Sequence, residues 1–261
     1  MHILLLTDNF PPEVNAPASR CWEHARIWVG LGARVTVITS APNFPQGVVH
    51  TGYRNRWTIE ELEGVAIHRV PTFIVRNEGF VLRTLDFLSF MLASFIGGLR
   101  IRAVDLVIAT SPQFFTACSG WALSRYFRAP FVFEIRDLWP ASITAVGMMR
   151  GGRIIGALER LEIFLYRQAR GIITVTKGFR DDLIRRGIPA NRIAIVTNGA
   201  DLSRFHPRDR DEGLAGSQRL AGKFVIGYLG THGMAHGLDN VILAADRLRD
   251  QATIRDRKSV V

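Results

Sequence analysis

"HILLLTDNFPPEVNAPASR", residues 2–20, joins an apolar run to a stretch of helical spacing through a turn with two prolines and no glycine. His2–Thr7 reads as a buried first strand, apolar on both faces, which suits a parallel sheet covered on both sides. From Ala16 to Val29 the residues Ala18, Trp22, Ala25 and Trp28/Val29 fall on one helical face. Strand, turn and helix in this order open a doubly wound α/β domain, whose ligands gather outside the carboxyl ends of the strands. In nucleotide-binding folds glycines at this turn let backbone approach phosphate. Here Pro11, Pro12, Glu13 and Asn15 stand there instead. Asn15 suits a helix N-cap, and Pro17 is tolerated in a first helical turn.

The pattern repeats along the chain. Further strands are expected at Arg34–Thr39, Val65–Val70, Asp105–Ala109, Phe131–Ile135, Gly171–Val175 and Arg192–Val196, with helical stretches such as Phe114–Phe127 and Arg153–Ala169 between them. This alternation predicts an α/β fold, with a doubly wound parallel-sheet domain over residues 1–200. "GLGARV" (residues 30–35) hints at a dinucleotide fingerprint, but its glycines end a helix and precede a strand, so they read as a helix C-cap. The turn-rich "TNGADLSRFHP" (197–207) and the polar residues after it read as a linker over 201–216. A fresh strand, "FVIGYLG" (224–230), runs into "THGMAHG" and a helix over Leu238–Arg249, so a second domain starts at 217. The final "DRKSVV" shows neither strand nor helix character. The stretch from Phe224 onward is shorter than an ordinary domain, so the second domain is expected to be only begun.

The 261 residues carry Lys+Arg 33 against Asp+Glu 23, a net charge of +10, and are 48% hydrophobic. A basic surface favours anionic lipid or phosphorylated substrates. The arginines are scattered and no recognition motif accompanies them, which excludes nucleic acid as the expected partner. Cys21 and Cys118 lack metal-ligand spacing and read as free thiols of a reducing cytoplasm. No signal peptide is expected. The apolar core of Phe80–Arg102, from Phe87 to Leu99, is too short for a membrane span. With Arg76, Arg83, Arg100 and Arg102 around it, that stretch reads as a core helix, a helix lying on an anionic bilayer, or both.

Three strand-end turns carry candidate chemistry. "GYLGTHGMAHG" sets Gly230, Thr231, His232 and Gly233, then His236, before a helix whose N-terminal dipole could hold an anion; a purely structural turn fits the spacing equally. "FEIRDLWPAS" (133–142) ends a buried strand in Glu134, Arg136 and Asp137, either an ion pair or a functional site. "ATSPQFF" (109–115) offers Ser111 as an N-cap with Pro112 at the first helical position. No phosphate-loop lysine motif, nucleophile elbow or metal-spaced His, Cys or carboxylate cluster is present, which excludes the corresponding NTPase, hydrolase and metalloenzyme classes.

In combination, "FPPE", the strand-end "RD", "NGADLSRFHP" and "GYLGTHGMAHGLDNVILAA" resemble glycosyltransferase family 4, over Met1 to about Arg249. More narrowly they resemble bacterial transferases of O-antigen, capsule and exopolysaccharide synthesis, including L-fucosamine-type enzymes. The resemblance implies a GT-B fold: two Rossmann-like domains facing across a cleft, the first binding an acceptor, often polyprenyl-linked at the inner membrane face, the second a nucleotide-sugar donor. It implies transfer with retention, with no metal and no cofactor beyond the donor itself. Residue by residue, it implies catalytic roles for Arg136 and Asp137, where relatives often carry His-Asp. Gly230, Thr231, His232, Gly233 and His236 fall on the donor diphosphate turn. Asn15 and Ala16 stand where relatives have a glycine pair. Asn198, Gly199 and Asp201 match the family's linker motif and are structural. With phosphate assigned to the second domain, the first turn walls the cleft: Glu13 and Arg20 are candidates for sugar or phosphate contacts, with Ser111 a further cleft candidate, and a rigid turn with solvated charges is the alternative. The family's glutamate pair seven residues apart has no counterpart, since Glu212 is the last glutamate. The expectation is therefore an incomplete, poorly active transferase chain, cytoplasmic and peripheral on the plasma membrane. A non-catalytic acceptor- or membrane-binding module is the second reading.

Overall fold

A computed structural model describes residues 1–75, 80–111, 113–138, 152–203, 205–218, 220–228, 230, 236–248, 250 and 254–258. The chain forms two compact units, Met1–Asn198 and Gly199–Val261.

The first unit is built on an eight-stranded sheet, among the described residues. Its strands are β1 (His2–Leu6), β2 (Arg34–Ser40), β3 (Thr58–Leu62), β4 (Val65–Val70), β5 (Leu106–Thr110), β6 (Phe131–Ile135), β7 (Gly171–Thr174) and β8 (Ile193–Ile195), in the spatial order β3-β4-β2-β1-β5-β6-β7-β8. All neighbours are parallel except β3, which pairs antiparallel with β4. The sequence gives no sign of β3, because an edge strand of Thr58-Ile59-Glu60-Glu61-Leu62 leaves most of its residues exposed and lacks the continuous apolar run of its neighbours.

Helices α1 (Ala16–Gly30), α2 (Phe80–Gly98), α3 (Phe114–Phe127), α4 (Arg153–Gln168) and α5 (Lys177–Arg185) cover the sheet. Alternate side chains of β1 feed two cores. Ile3 and Leu5 pack with Cys21 and Ala25 of α1, while Leu4 and Leu6 pack with Phe90 of α2 and Leu123 of α3. Strands so covered must be apolar on both faces, which is what makes them legible. α3 lies close on β5: a Cβ at Gly120 would stand 2.7 Å from the Ala109 Cβ, so only glycine allows this approach. α1 ends as its glycines suggest, with Gly32 at φ +84° and the Ala33 N–H donating to Trp28 O.

In the second unit, β9 (Phe224–Tyr228) pairs parallel with β10 (Ile254–Lys258), with α6 (Glu212–Ser217) and α7 (Leu238–Arg247) alongside them in the chain. Two readings change here. The stretch read as a linker contains α6, capped by Asp211, whose carboxylate accepts the Leu214 N–H. The tail read as featureless supplies β10, whose charged residues Arg255, Asp256, Arg257 and Lys258 hide its strand character.

Candidate active site

The sheet register aligns a row of polar residues along the carboxyl edge. Leu6 pairs with Ile38 of β2 and Ala109 of β5, and Thr110 pairs with Glu134 of β6, so Ser40, Asp8 and Ser111 follow at one level beyond the strands. The Ser40 N–H and Oγ both bond the Asp8 carbonyl, and the Ser111 N–H donates to Glu134 O at 3.0 Å.

The turn after β1 is held by internal bonds. The buried Glu13 carboxylate accepts the Asn43 and Phe44 amides at 2.8 and 2.9 Å on one oxygen and Asn9 Nδ2 at 2.9 Å on the other. Arg69, buried on β4, donates to Pro11 O, to Ser40 O and to Glu60, and lies over the Tyr53 ring. Asn15 caps α1 by accepting the Ala18 N–H at 2.8 Å, and Ala16 is exposed beside it.

Arg20 turns inward from α1. Its guanidinium pairs with Glu134 at 2.9 Å and donates to Val196 O, Thr197 O and Asn198 Oδ1. Glu13 and Arg20, expected as substrate contacts, are engaged by these internal partners and position the turn and the end of the first unit. Burial holds the neighbouring His24 imidazole below its ordinary pKa, against the pull of Glu134.

Ser111 organises the end of β6. Its Oγ accepts the amides of Arg136 at 2.7 Å and Asp137 at 3.2 Å. Its carbonyl accepts the Arg136 side chain through Nε at 2.6 Å and through Nη2. Ser111 is therefore not the N-cap of α3. That helix begins at Phe114, so Gln113 takes the cap position. Arg136 is spent on Ser111, while Asp137 is an exposed residue whose carboxyl is partly desolvated by the chain around it; that desolvation raises its pKa and Arg136 opposes the rise.

Two carboxyls, Asp8 in this row and Asp86 near it, were not singled out by the sequence. Burial, with Asp86 and Glu13 nearby, pushes Asp8 up to about 8. Asp86 on α2 is itself pushed up to about 6 by burial. A carboxylate placed immediately after a buried strand is the signal that could have found Asp8.

On the second unit, Gly230 follows β9 and His236 lies 6.4 Å, ring to ring, from Tyr228. Thr231, His232 and Gly233 lie outside the described residues, as do Pro112 and Arg76. Among the described residues no group of three or more His, Cys, Asp or Glu could hold a metal ion, and no helix is long and apolar enough to cross a membrane.

A doubly wound sheet with a polar row at its carboxyl edge defines the class, and sequence similarity defines the family. The chain belongs to the glycosyl transferase 4-like domain family, which matches residues 15–199. Over 263 residues it is 28% identical to WcaI of Escherichia coli (strain K12), whose name assigns it to glycosyl transfer in colanic acid biosynthesis; the match covers 97% of this chain and 64% of WcaI. The chain thus spans less than two thirds of that relative. Its fold superposes with a TM-score of 0.70 on sucrose-phosphate synthase from Thermosynechococcus elongatus, at 11% identity, covering 98% of this chain and 61% of that one. Anabaena HepE in complex with UDP and glucose gives 0.61 at 15% identity, covering 98% and 60%. Both are likenesses of fold.

Proposed function

We propose that this chain works in a retaining, metal-independent glycosyltransferase that moves a sugar from a nucleotide-sugar donor to a lipid-linked or saccharide acceptor in cell-surface polysaccharide synthesis. The observation that carries the reading is Ser111 fixing the Asp137 backbone so that an exposed carboxylate stands at the carboxyl edge of a family-matched sheet. A preorganised carboxylate there orients an acceptor hydroxyl and stabilises positive charge developing on the transferred sugar. Arg136, bonded to the Ser111 carbonyl, sets that geometry. Donor phosphate falls to Gly230, Thr231, His232, Gly233 and His236, ahead of the N-terminus of α7. The UDP and glucose held by HepE support a nucleotide-sugar donor, and the name of WcaI supports an exopolysaccharide product.

Asp137→Asn in the protein that carries this chain tests the proposal. The expected result is a fall in kcat of about 10²-fold or more with nucleotide affinity unchanged; an unchanged kcat would overturn it. The membrane-binding reading is favoured by the exposed apolar stripe of α2 (Leu82, Leu85, Leu92, Ile96), which suits peripheral contact with the inner face of the plasma membrane. Liposome binding without any transfer would make that the whole function.

A further inference from the structure

Gln113 stands at the cap position of α3, two residues past Ser111, in the turn that follows β5, the strand paired with the β1 strand that leads to Asp8. Only 3% of it is exposed. Its Oε1 accepts Thr116 Oγ1 at 2.6 Å, while its Nε2 is buried and has no hydrogen-bond partner among the described residues. The side chain makes no cap bond to its own helix. Exchanging the amide oxygen and nitrogen would only move the orphan, because Thr116 satisfies one end and the other stays bare. A buried, unsatisfied amide is costly, so its place on the carboxyl edge calls for an explanation.

We propose that Gln113 is a specificity-determining residue for the acceptor, its unpaired side-chain amide at the head of α3 beside Ser111 taking a hydroxyl of a neutral sugar. This rests on the glycosyl-transfer reading above and assigns a residue to its acceptor side. The orphan fits a hydroxyl because a hydroxyl both donates and accepts, and so completes the amide in either orientation. The surroundings disfavour phosphate: Asp8 lies one strand away, Asp137 is fixed by the same Ser111, and Arg136 is already bonded to the Ser111 carbonyl. To meet a ligand the side chain swings outward and gives up the Thr116 bond. Because the amide nitrogen is already bare, the swing gives up only the Thr116 bond.

Saturation-transfer NMR on the 261-residue chain, with D-glucose, D-galactose, N-acetyl-D-glucosamine, inorganic phosphate and UDP as separate probes, tests the assignment. The expected result is transfer to at least one sugar that weakens about fivefold to tenfold in Gln113→Leu, with no loss of thermal midpoint and no competition by phosphate. Gln113→Met is the second variant should the leucine fail to fold. Equal sugar transfer in the wild type and the folded variants, no sugar transfer to the wild type, or displacement of the sugar by phosphate would each overturn it. A UDP-silent chain whose sugar signal still depends on Gln113 supports this inference while counting against the donor half of the reading above.

Discussion

The Arg20 guanidinium meets the Glu134 carboxylate at 2.9 Å with side chains only 7% and 4% exposed, and so ties α1 to the end of β6 across 114 residues. The same guanidinium holds the Val196 and Thr197 carbonyls and the Asn198 side chain, the last residues of the first unit. One cation thus collects three distant segments. Removing one partner of such a pair strands a buried charge. Glu134→Leu is expected to cost about 3–5 kcal/mol, and Arg20→Met with Glu134→Leu to recover part of it. Urea denaturation checks both. A double variant no more stable than the single one would show that the carbonyl bonds, rather than the ion pair, dominate.

Glu13 sets the shape of the first turn. Its carboxylate accepts three N–H groups, and a carboxamide cannot accept all three without pointing its own donors at one of them. Glu13→Gln is expected to destabilise by about 1–3 kcal/mol, read as a shift in the denaturation midpoint. Proton exchange at the Asn43 and Phe44 amides should quicken with it. An unchanged midpoint with unchanged exchange would remove the clamp from the argument.

Asp8 makes stability depend on pH with a definite sign. Its folded pKa is raised from the ordinary carboxylate range to about 8, mainly by burial and then by Asp86 and Glu13. A carboxyl whose folded pKa is raised favours the native state while protonated. Its contribution is complete at acid pH and is lost as pH climbs through about 8. Asp8→Asn keeps the shape and deletes the charge. Above pH 8 its thermal midpoint is expected to exceed that of the wild type by roughly 2–4 °C, with the gap closing toward pH 5. Calorimetry across that range decides it, and a pH-independent gap would count against the buried carboxyl.

What the sequence made legible was whatever burial writes into composition. β1, β5 and β6 are apolar on both faces and are found within a residue of their ends. β3 and β10 sit at edges and carry charge, and α5 begins Lys177-Gly178-Phe179-Arg180-Asp181-Asp182, so their apolar signal is thin. The strand ends were legible as places, while the contacts made there were not. The turns do fall at carboxyl ends of strands, but most partners of Arg20, Glu13 and Ser111 come from the end of β6 and the segments after β2, β6 and β8, and nothing in local spacing reports a contact 114 residues away. The orphan amide of Gln113 is likewise visible only in three dimensions.

The outer face of α2 offers the remaining test. Leu82, Leu85, Leu92 and Ile96 recur at helical spacing and are exposed, Leu92 by 58%, while Phe90 and Ser94 of the same helix are buried against the domain. Arg83 lies over Phe87, and Arg100 lies 4.4 Å from the ring centroid of Trp57, at opposite ends of the stripe. A helix with a buried inner face and an apolar outer face rimmed by cations suits an anionic interface. Because these leucines do not pack inward, Leu85→Glu with Leu92→Glu should leave folding intact while removing the interfacial area and repelling anionic headgroups. Flotation with vesicles of 30% phosphatidylglycerol is expected to carry the wild-type chain upward at low salt, less so at 0.5 M salt, and to leave the double variant at the bottom. If both float equally, the stripe does not meet lipid, and the +10 charge alone accounts for the attraction.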